Sequence, residues 1–428
     1  MNKLIVPEKS QEKIYQELKR NYLIVFLMAN FADWLQGPYL YKVYSNYGYE
    51  KKDISFFYIT GFMSSAISGI FIGHYADKFG RKRLCLFYFF ATIFACLSIL
   101  VENNFLLHIG RIFGGISNSI LFSTFESWYI SQHLLQYNIS KDLIGHTMAD
   151  STFYNSLLAI IAGFVTSLLV DNYELGPKSP FIFTIPISII SAILCKIFWI
   201  ENITMEVYTS PLKGLALIFE KKNGLMIHLG IIQMFFETAM YIFIFLWTSI
   251  LIPIDPSNGV IFGGFMLCIV IGSICHSFSV NIFQVTREIL LLCSLILALF
   301  SMITSTIGIH IQTQAQKNII GTYICLISFL LFEISVGLYF PAIGYLRGII
   351  IPESHRTSIV NWYRLPSNIL TCFILLYITI ESPDTCSIFA LGAMGLIIAV
   401  LYAIKFNKIY LHNNHSMNVN RLCSSTYT

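Results

Sequence analysis

Between two long apolar runs the chain reads GHYADKFGRKR, from Gly73 to Arg83, with Asp77 as its single acid and Lys78, Arg81, Lys82 and Arg83 as its bases. A basic turn between stretches too apolar for water is what a polytopic chain leaves on the cytoplasmic side of a bilayer. Within it, Gly73 allows two helices to approach closely and Gly80 permits a tight turn. Asp77 can pair with a basic group or a helix N-terminus.

The composition on either side of this turn is that of a membrane protein. The 428 residues are 56% hydrophobic and 12% charged, about half the charge of a soluble globular chain. The net charge of +4 comes with no basic stripe or nucleic-acid motif, so nucleic-acid binding is set aside. The ten cysteines are scattered in apolar runs such as those around Cys96, Cys268, Cys293 and Cys372. No CxxC pair or His-rich spacing gathers a metal, and no cofactor is expected. The first residues are polar and lack a signal-peptide apolar core.

A helix crossing about 30 Å of hydrocarbon needs about 20 mostly apolar residues. That ruler finds twelve windows, which divide the chain into a cytoplasmic tail (1–21), a six-helix half (22–200), a basic central loop (201–223), a second six-helix half (224–406) and a cytoplasmic tail (407–428). The last tail is polar and expected to be disordered. Most of the 27 lysines and arginines then fall inside, Arg347 among them, while Lys51, Lys52, Lys178 and Lys317 fall outside. The sequons at Asn138, Asn202 and Asn414 lie on the inner side and should be unmodified. Six plus six segments suit two repeats with a site near the midplane.

Ionisable side chains inside the bilayer cost roughly 2.5–3.5 kcal/mol each on insertion scales, so each is a functional candidate. Asp33, Glu237 and Glu333 fall near the centres of the first, seventh and tenth windows, and Arg111 and Arg364 inside the fourth and eleventh. Arg111, Gly115, Asn118, Phe122 and Glu126 follow a 4, 3, 4, 4 spacing, one face of a helix. Fifteen residues separate Arg111 from Glu126, about 22 Å of helix, which places Arg111 by the outer half of a cavity and Glu126 at the cytoplasmic gate. Gly37 and Pro38 can bend the first helix and form a hinge. Lys42 is expected to snorkel, and Asp150 to begin the fifth helix as an N-terminal charge.

The turn matches G-x-x-x-D-[RK]-x-G-R-[RK] at every fixed position and so resembles the signature loop of the major facilitator superfamily. Five further segments are similar to the eukaryotic molybdate-anion transporter family: DWLQGPYLY (Asp33–Tyr41), GRIFGGISNSILFSTFESWYI (Gly110–Ile130), FFETAMYIFIFLWT (Phe235–Thr248), FEISVGLYFP (Phe332–Pro341) and NWYRLP (Asn361–Pro366). The resemblance spans nearly the whole chain from Tyr22. It departs from the family in a polar tail where some relatives have an extra apolar segment, and in a loop between helices eight and nine without its counterpart's charged pattern.

The resemblance implies an all-α facilitator fold of twelve transmembrane helices in two six-helix halves. It implies a gating role for Gly73, Asp77, Gly80 and Arg81, with Glu126, and carriage of an oxyanion, molybdate being the named one. A tetrahedral dianion must exchange water for fixed donors, and a guanidinium fork matches two of its oxygens. Arg364, beside Trp362 and Tyr363, is the first candidate ligand and Arg111, with Asn118, the second. Carboxylates repel an anion, which makes Asp33, Glu237 and Glu333 candidates for proton coupling. A monomer in the plasma membrane is expected, with an internal membrane as the alternative. Two other readings stand beside this one: a proton-coupled facilitator for a sugar, amino acid or organic anion, and a non-transporting receptor or scaffold derived from a carrier. No P-loop, nucleophile elbow or metal motif suggests an enzyme.

Overall fold

The structure, a computed structural model, describes residues 8–140, 142–201, 211–220, 224–254, 257–314, 319–352, 356–381 and 384–425. Its helices fall into two compact units. Unit 1 contains α1 (Glu8–Gln36), α2 (Leu40–Asn46), α3 (Lys51–Phe79), α4 (Arg81–Ile99), α5 (Asn104–Leu121), α6 (Thr124–Ser131), α7 (Asp142–Ser167) and α8 (Ser179–Phe198). Unit 2 is built from α9 (Pro211–Phe219), α10 (Gly224–Leu251), most of α11 (Asn258–Asn281), α12 (Arg287–Gln314), α13 (Ile319–Ile350), most of α14 (Arg356–Glu381) and α15 (Thr385–Ser425). The first turns of α11, to Leu267, and the end of α14, from Cys372, belong to unit 1.

Among the described residues, 11 segments are long and apolar enough to cross a bilayer. The helix α1 has the length but is diluted by Asn30, Asp33 and Gln36. Continued through a 3-10 turn at Gly37–Tyr39 and α2, it forms a further membrane-length segment, in keeping with twelve windows. The chain is an integral, multi-pass membrane protein.

Helix α1 also begins earlier than hydropathy suggests. Tyr15, Leu18 and Tyr22 recur at helical spacing and are buried in the core of unit 1, so the stretch from Glu8 enters the fold as the first turns of α1. The Tyr15 hydroxyl reaches Leu143 O (3.4 Å) and Thr147 Oγ1 (3.2 Å) on α7, and Lys19 pairs with Asp150 at 2.5 Å. That hydrogen bond raises the Lys19 amine above its ordinary value. Asp150 lies two turns inside α7, which starts at Asp142, and is therefore an ion-pair partner instead of an N-terminal charge. At the other end α15 continues to Ser425. The polar segment expected to be disordered is helical there.

Small residues set the helix spacing, since association in lipid depends on close backbone approach and interhelical hydrogen bonds more than on apolarity. In unit 1, α3 packs on α5 with Gly115 against the Gly61 carbonyl. Ser64 donates to Ile112 O (2.8 Å) and Ser119 to Ser65 O (2.7 Å). In unit 2, α11 and α13 meet at Gly272 and Gly337, where a Cβ on either would lie 2.9 Å from the other's Cα.

Two breaks bear on function. Phe122 and Ser123 form a turn between α5 and α6, so the stripe from Arg111 to Glu126 is not one continuous helix face as its spacing suggests. The Ser123 hydroxyl bonds locally, Oγ to Ser119 O at 2.6 Å, which offers the backbone an alternative to the helix ladder. The second break is at Gly37 and Pro38, where α1 gives way to the 3-10 turn. Tyr39, completing it, donates to Asp171 Oδ2 (2.8 Å) beyond the end of α7. Asp171 also accepts from Ser257 (2.5 Å) and Ser167 (3.3 Å), and the Tyr39 oxygen accepts the Gly259 N–H (3.3 Å) at the start of α11.

Candidate functional site: two clusters of charge inside the helices

In unit 1 the cluster centres on Arg111 of α5. Its guanidinium lies against bare backbone on α3: a Cβ on Gly61 would stand 2.7 Å from one terminal nitrogen. The Tyr58 ring, one turn before Gly61, has its centroid 5.6 Å from the guanidinium carbon, a cation–π contact. Tyr44 and Asp33 are within electrostatic reach. Arg111 Nε is buried with no hydrogen-bond partner among the described residues. An arginine carries five N–H donors, and the one on Nε is left without an acceptor among the described residues. Asn118, two turns along α5, is half-buried, whereas Glu126 is exposed on α6 beyond the break.

In unit 2 the cluster centres on Glu237 of α10, which is 6% exposed. Gln233, one turn earlier, donates Nε2 to Glu237 Oε1 (2.8 Å), and Ser367 of α14 donates to Oε2 (3.2 Å). Two arginines flank this carboxylate. Arg364 of α14 is within its electrostatic reach and hydrogen-bonds the Tyr241 hydroxyl. Arg347 of α13 is also within reach and donates to Gln233 Oε1 (3.3 Å). The sequence placed Arg347 among the inner-surface bases, but the fold brings it into this cluster. Tyr363 donates its hydroxyl to Met226 O (2.8 Å) and packs on Gly230, so it secures α14 on α10. Trp362 is half-buried beside it.

Glu333 of α13 is not among the groups that reach Glu237. It is 5% exposed, and the nearest titratable neighbour shown is the Cys268 thiol of α11. It sits one turn from the Gly272 and Gly337 contact, inside the packing of α11 on α13. Of the three acids proposed from sequence, the structure therefore sets Asp33 near an arginine, Glu237 between two, and Glu333 beside a thiol.

The basic turn is built as its glycine requires. Gly80 has φ of 98°, a left-handed conformation that favours glycine. The carboxylate of Glu201 sits against it and accepts the N–H groups of Lys82 and Arg83, both at 3.0 Å, capping α4 at its positive end. Arg81 donates to Ser127 O of α6 (3.2 Å) and Lys82 Nζ to Lys196 O of α8 (2.9 Å). Trp128 and Gln132 donate to Ile200 O (2.9 and 3.1 Å), and Trp128 stacks on Trp199 with ring centroids 3.7 Å apart. Gly73 lies within α3. The Asp77 side chain lies outside the described residues. Glu201 was missed because its partners are more than a hundred residues away in the chain.

Comparison with known proteins matches this architecture. A major facilitator family described as sugar transporters with 12 TM fits residues 4–331. The chain is 31% identical over 393 residues to the molybdate-anion transporter of Xenopus laevis, covering 91% of this chain and 86% of that one. It is 32% identical over 406 residues to that of Takifugu rubripes, covering 87% and 82%. A solved structure of a mutant of the nucleoside transporter NupG superposes with a TM-score of 0.70 at 11% identity over 91% of this chain and 99% of that one, which speaks to fold alone. The match is to carriers, not to an enzyme. A facilitator's basic turn capped by its own glutamate, two units each with charge buried among the helices, and relatives aligned along almost the full length agree: the chain belongs to the molybdate-anion transporter family of the major facilitator superfamily.

Proposed function

We propose that the protein carries molybdate or a closely related tetrahedral oxyanion by alternating access, coupled to a proton. The carrying observation is Arg111, whose buried Nε has no hydrogen-bond partner among the described residues. A charge inside a membrane helix without a hydrogen-bonded counter-ion is expensive, and an incoming oxyanion supplies the missing acceptor. Relatives bearing the molybdate name at about 31% identity support the cargo. Arg364, Trp362 and Asn118 complete the ligand candidates, and Asp33, Glu237 and Glu333 the proton sites. Gly73, Asp77, Gly80, Arg81 and Glu126 serve the gate, with Gly37 and Pro38 as the hinge. Function as a monomer in the plasma membrane completes this reading.

Molybdenum uptake into proteoliposomes across imposed pH gradients tests cargo and coupling together. Accumulation that follows an inward proton gradient is the expected result, and none above protein-free vesicles removes the cargo. Arg364→Lys keeps the charge but loses the planar fork; it is expected to lower uptake about tenfold with normal protein levels. Unchanged uptake removes Arg364 from the site.

Glu333, buried with no acceptor or donor shown for it, favours a second reading: a proton-driven carrier of a neutral or cationic organic solute. Thermal stabilisation by sugars or amino acids, and not by molybdate, would select it.

A further inference from the structure

The cluster in unit 2 has a charge balance that bears on coupling. One carboxylate, Glu237, lies within reach of two guanidinium groups, Arg347 and Arg364, so the three carry a net single positive charge when Glu237 is ionised. Both carboxylate oxygens are already taken, one by Gln233 and one by Ser367. Gln233 in turn accepts from Arg347, so its amide connects the arginine to the acid. Beside them the Tyr339 hydroxyl is buried without a hydrogen-bond partner among the described residues, although it lies within reach of both Glu237 and Arg347. That unpartnered hydroxyl is a donor to spare beside two guanidinium charges.

We propose that Glu237 is an internal counter-ion which a substrate dianion replaces, and that Arg347, positioned by Gln233, is the second cationic arm that selects dianions over monoanions. This rests on the oxyanion reading above and deepens it. Counting the groups of unit 2, a dianion entering between the arginines while Glu237 is ionised meets a site one charge short of neutralising it, and a carboxylate whose charge repels it. One proton on Glu237 removes that repulsion and leaves two guanidinium charges against two negative charges. The proton comes from water and resides on the Glu237 carboxyl while the anion is bound. No bond of the anion is broken. Binding of one dianion is therefore tied to uptake of one proton.

The surroundings leave Glu237 as the group that takes it. From α14 come Arg364, Ser367 and Tyr363; from α13, Arg347 and Tyr339; and from α10 itself, Gln233 and Tyr241. Helix α15, packed on the other side of α10, meets it with Gly395 against Phe235. Among the described residues it contributes no charged group to the cluster.

The test is calorimetric titration of the full-length protein in detergent with molybdate, in buffers of different ionisation heat, near neutral pH. Wild type is expected to take up one proton per molybdate, and Glu237→Gln, a near-isosteric change, to bind molybdate with none. A second variant reads the other arm. Arg347→Gln is expected to shift the preference for molybdate over perrhenate, a tetrahedral monoanion, about tenfold toward perrhenate, and Arg347→Lys to restore most of it. A merely structural role for Arg347 would change stability without moving that ratio. Molybdate binding with no proton uptake in wild type, uptake retained in Glu237→Gln, or an unmoved ratio in Arg347→Gln each overturns the inference while leaving the cargo standing. Absence of molybdate binding in wild type overturns the proposed cargo and this inference with it.

Discussion

Arg111→Leu is expected to reduce molybdate uptake by more than about a hundredfold while leaving the protein at least as stable as before. The first half follows from losing two charge-assisted hydrogen bonds to the anion, each worth about 1.5–3 kcal/mol. The second half separates a ligand from a structural residue. An arginine that held the bundle together would leave an unpaired partner behind when removed, which typically costs about 3–5 kcal/mol. Among the described residues the Arg111 Nε has no hydrogen-bond partner, and its guanidinium faces Gly61 and the Tyr58 ring. Leucine there strands no acceptor at Nε, and Asp33, within electrostatic reach of the guanidinium, can take up a proton once that charge is gone. Uptake and the thermal midpoint, measured on the same preparation, decide it: lost uptake with a midpoint several degrees lower means that Arg111 holds helices and not substrate.

Gly80→Ala is expected to lower the stability of unit 1 by about 3 kcal/mol. Strain contributes about 1–3 kcal/mol, because φ of 98° and ψ of 140° lie where only glycine is comfortable. The added methyl also enters the space of the Glu201 carboxylate, whose Oε2 would be 2.9 Å away. Displacing that carboxylate uncaps α4 at Lys82 and Arg83, worth about 1–2 kcal/mol. Glu201→Ala removes the cap without straining the turn, so it is expected to cost about half as much. Equal losses in thermal unfolding of the two variants would mean that the backbone conformation contributes nothing.

The elements legible in the sequence were those that depend on local pattern. Apolar length located the spans, the basic turn named the fold, and the rarity of charge in lipid picked out Asp33, Arg111, Glu237, Glu333 and Arg364 without any knowledge of contacts. What stayed hidden depends on pairings across long separations. Glu201 caps a helix that begins 120 positions earlier, at Arg81, and no periodicity encodes that. Arg347 read as an inner-surface base because it is close to the end of its apolar run, yet a long side chain one turn from the helix end can reach inward as easily as outward. Gln233 was the readable clue, one helical turn before Glu237 and on the same face. Ser123 concealed the break in the stripe below Arg111, since spacing assumes a ladder that its hydroxyl competes with at Ser119 O. The tail before Tyr22 read as polar because Ile14, Tyr15 and Leu18 are few among charges, although they meet the core.

The indoles of Trp128 and Trp199 lie nearly parallel, 5° between planes, and they are two of the five tryptophans in the chain. Chromophores this close share their excited states, so the absorption and emission of the pair in the ultraviolet depend on the two rings staying stacked. Because one ring stands on α6 and the other just past α8, any loosening at that end of unit 1 would change the signal before the helices themselves melt, and no attached dye would be needed to see it.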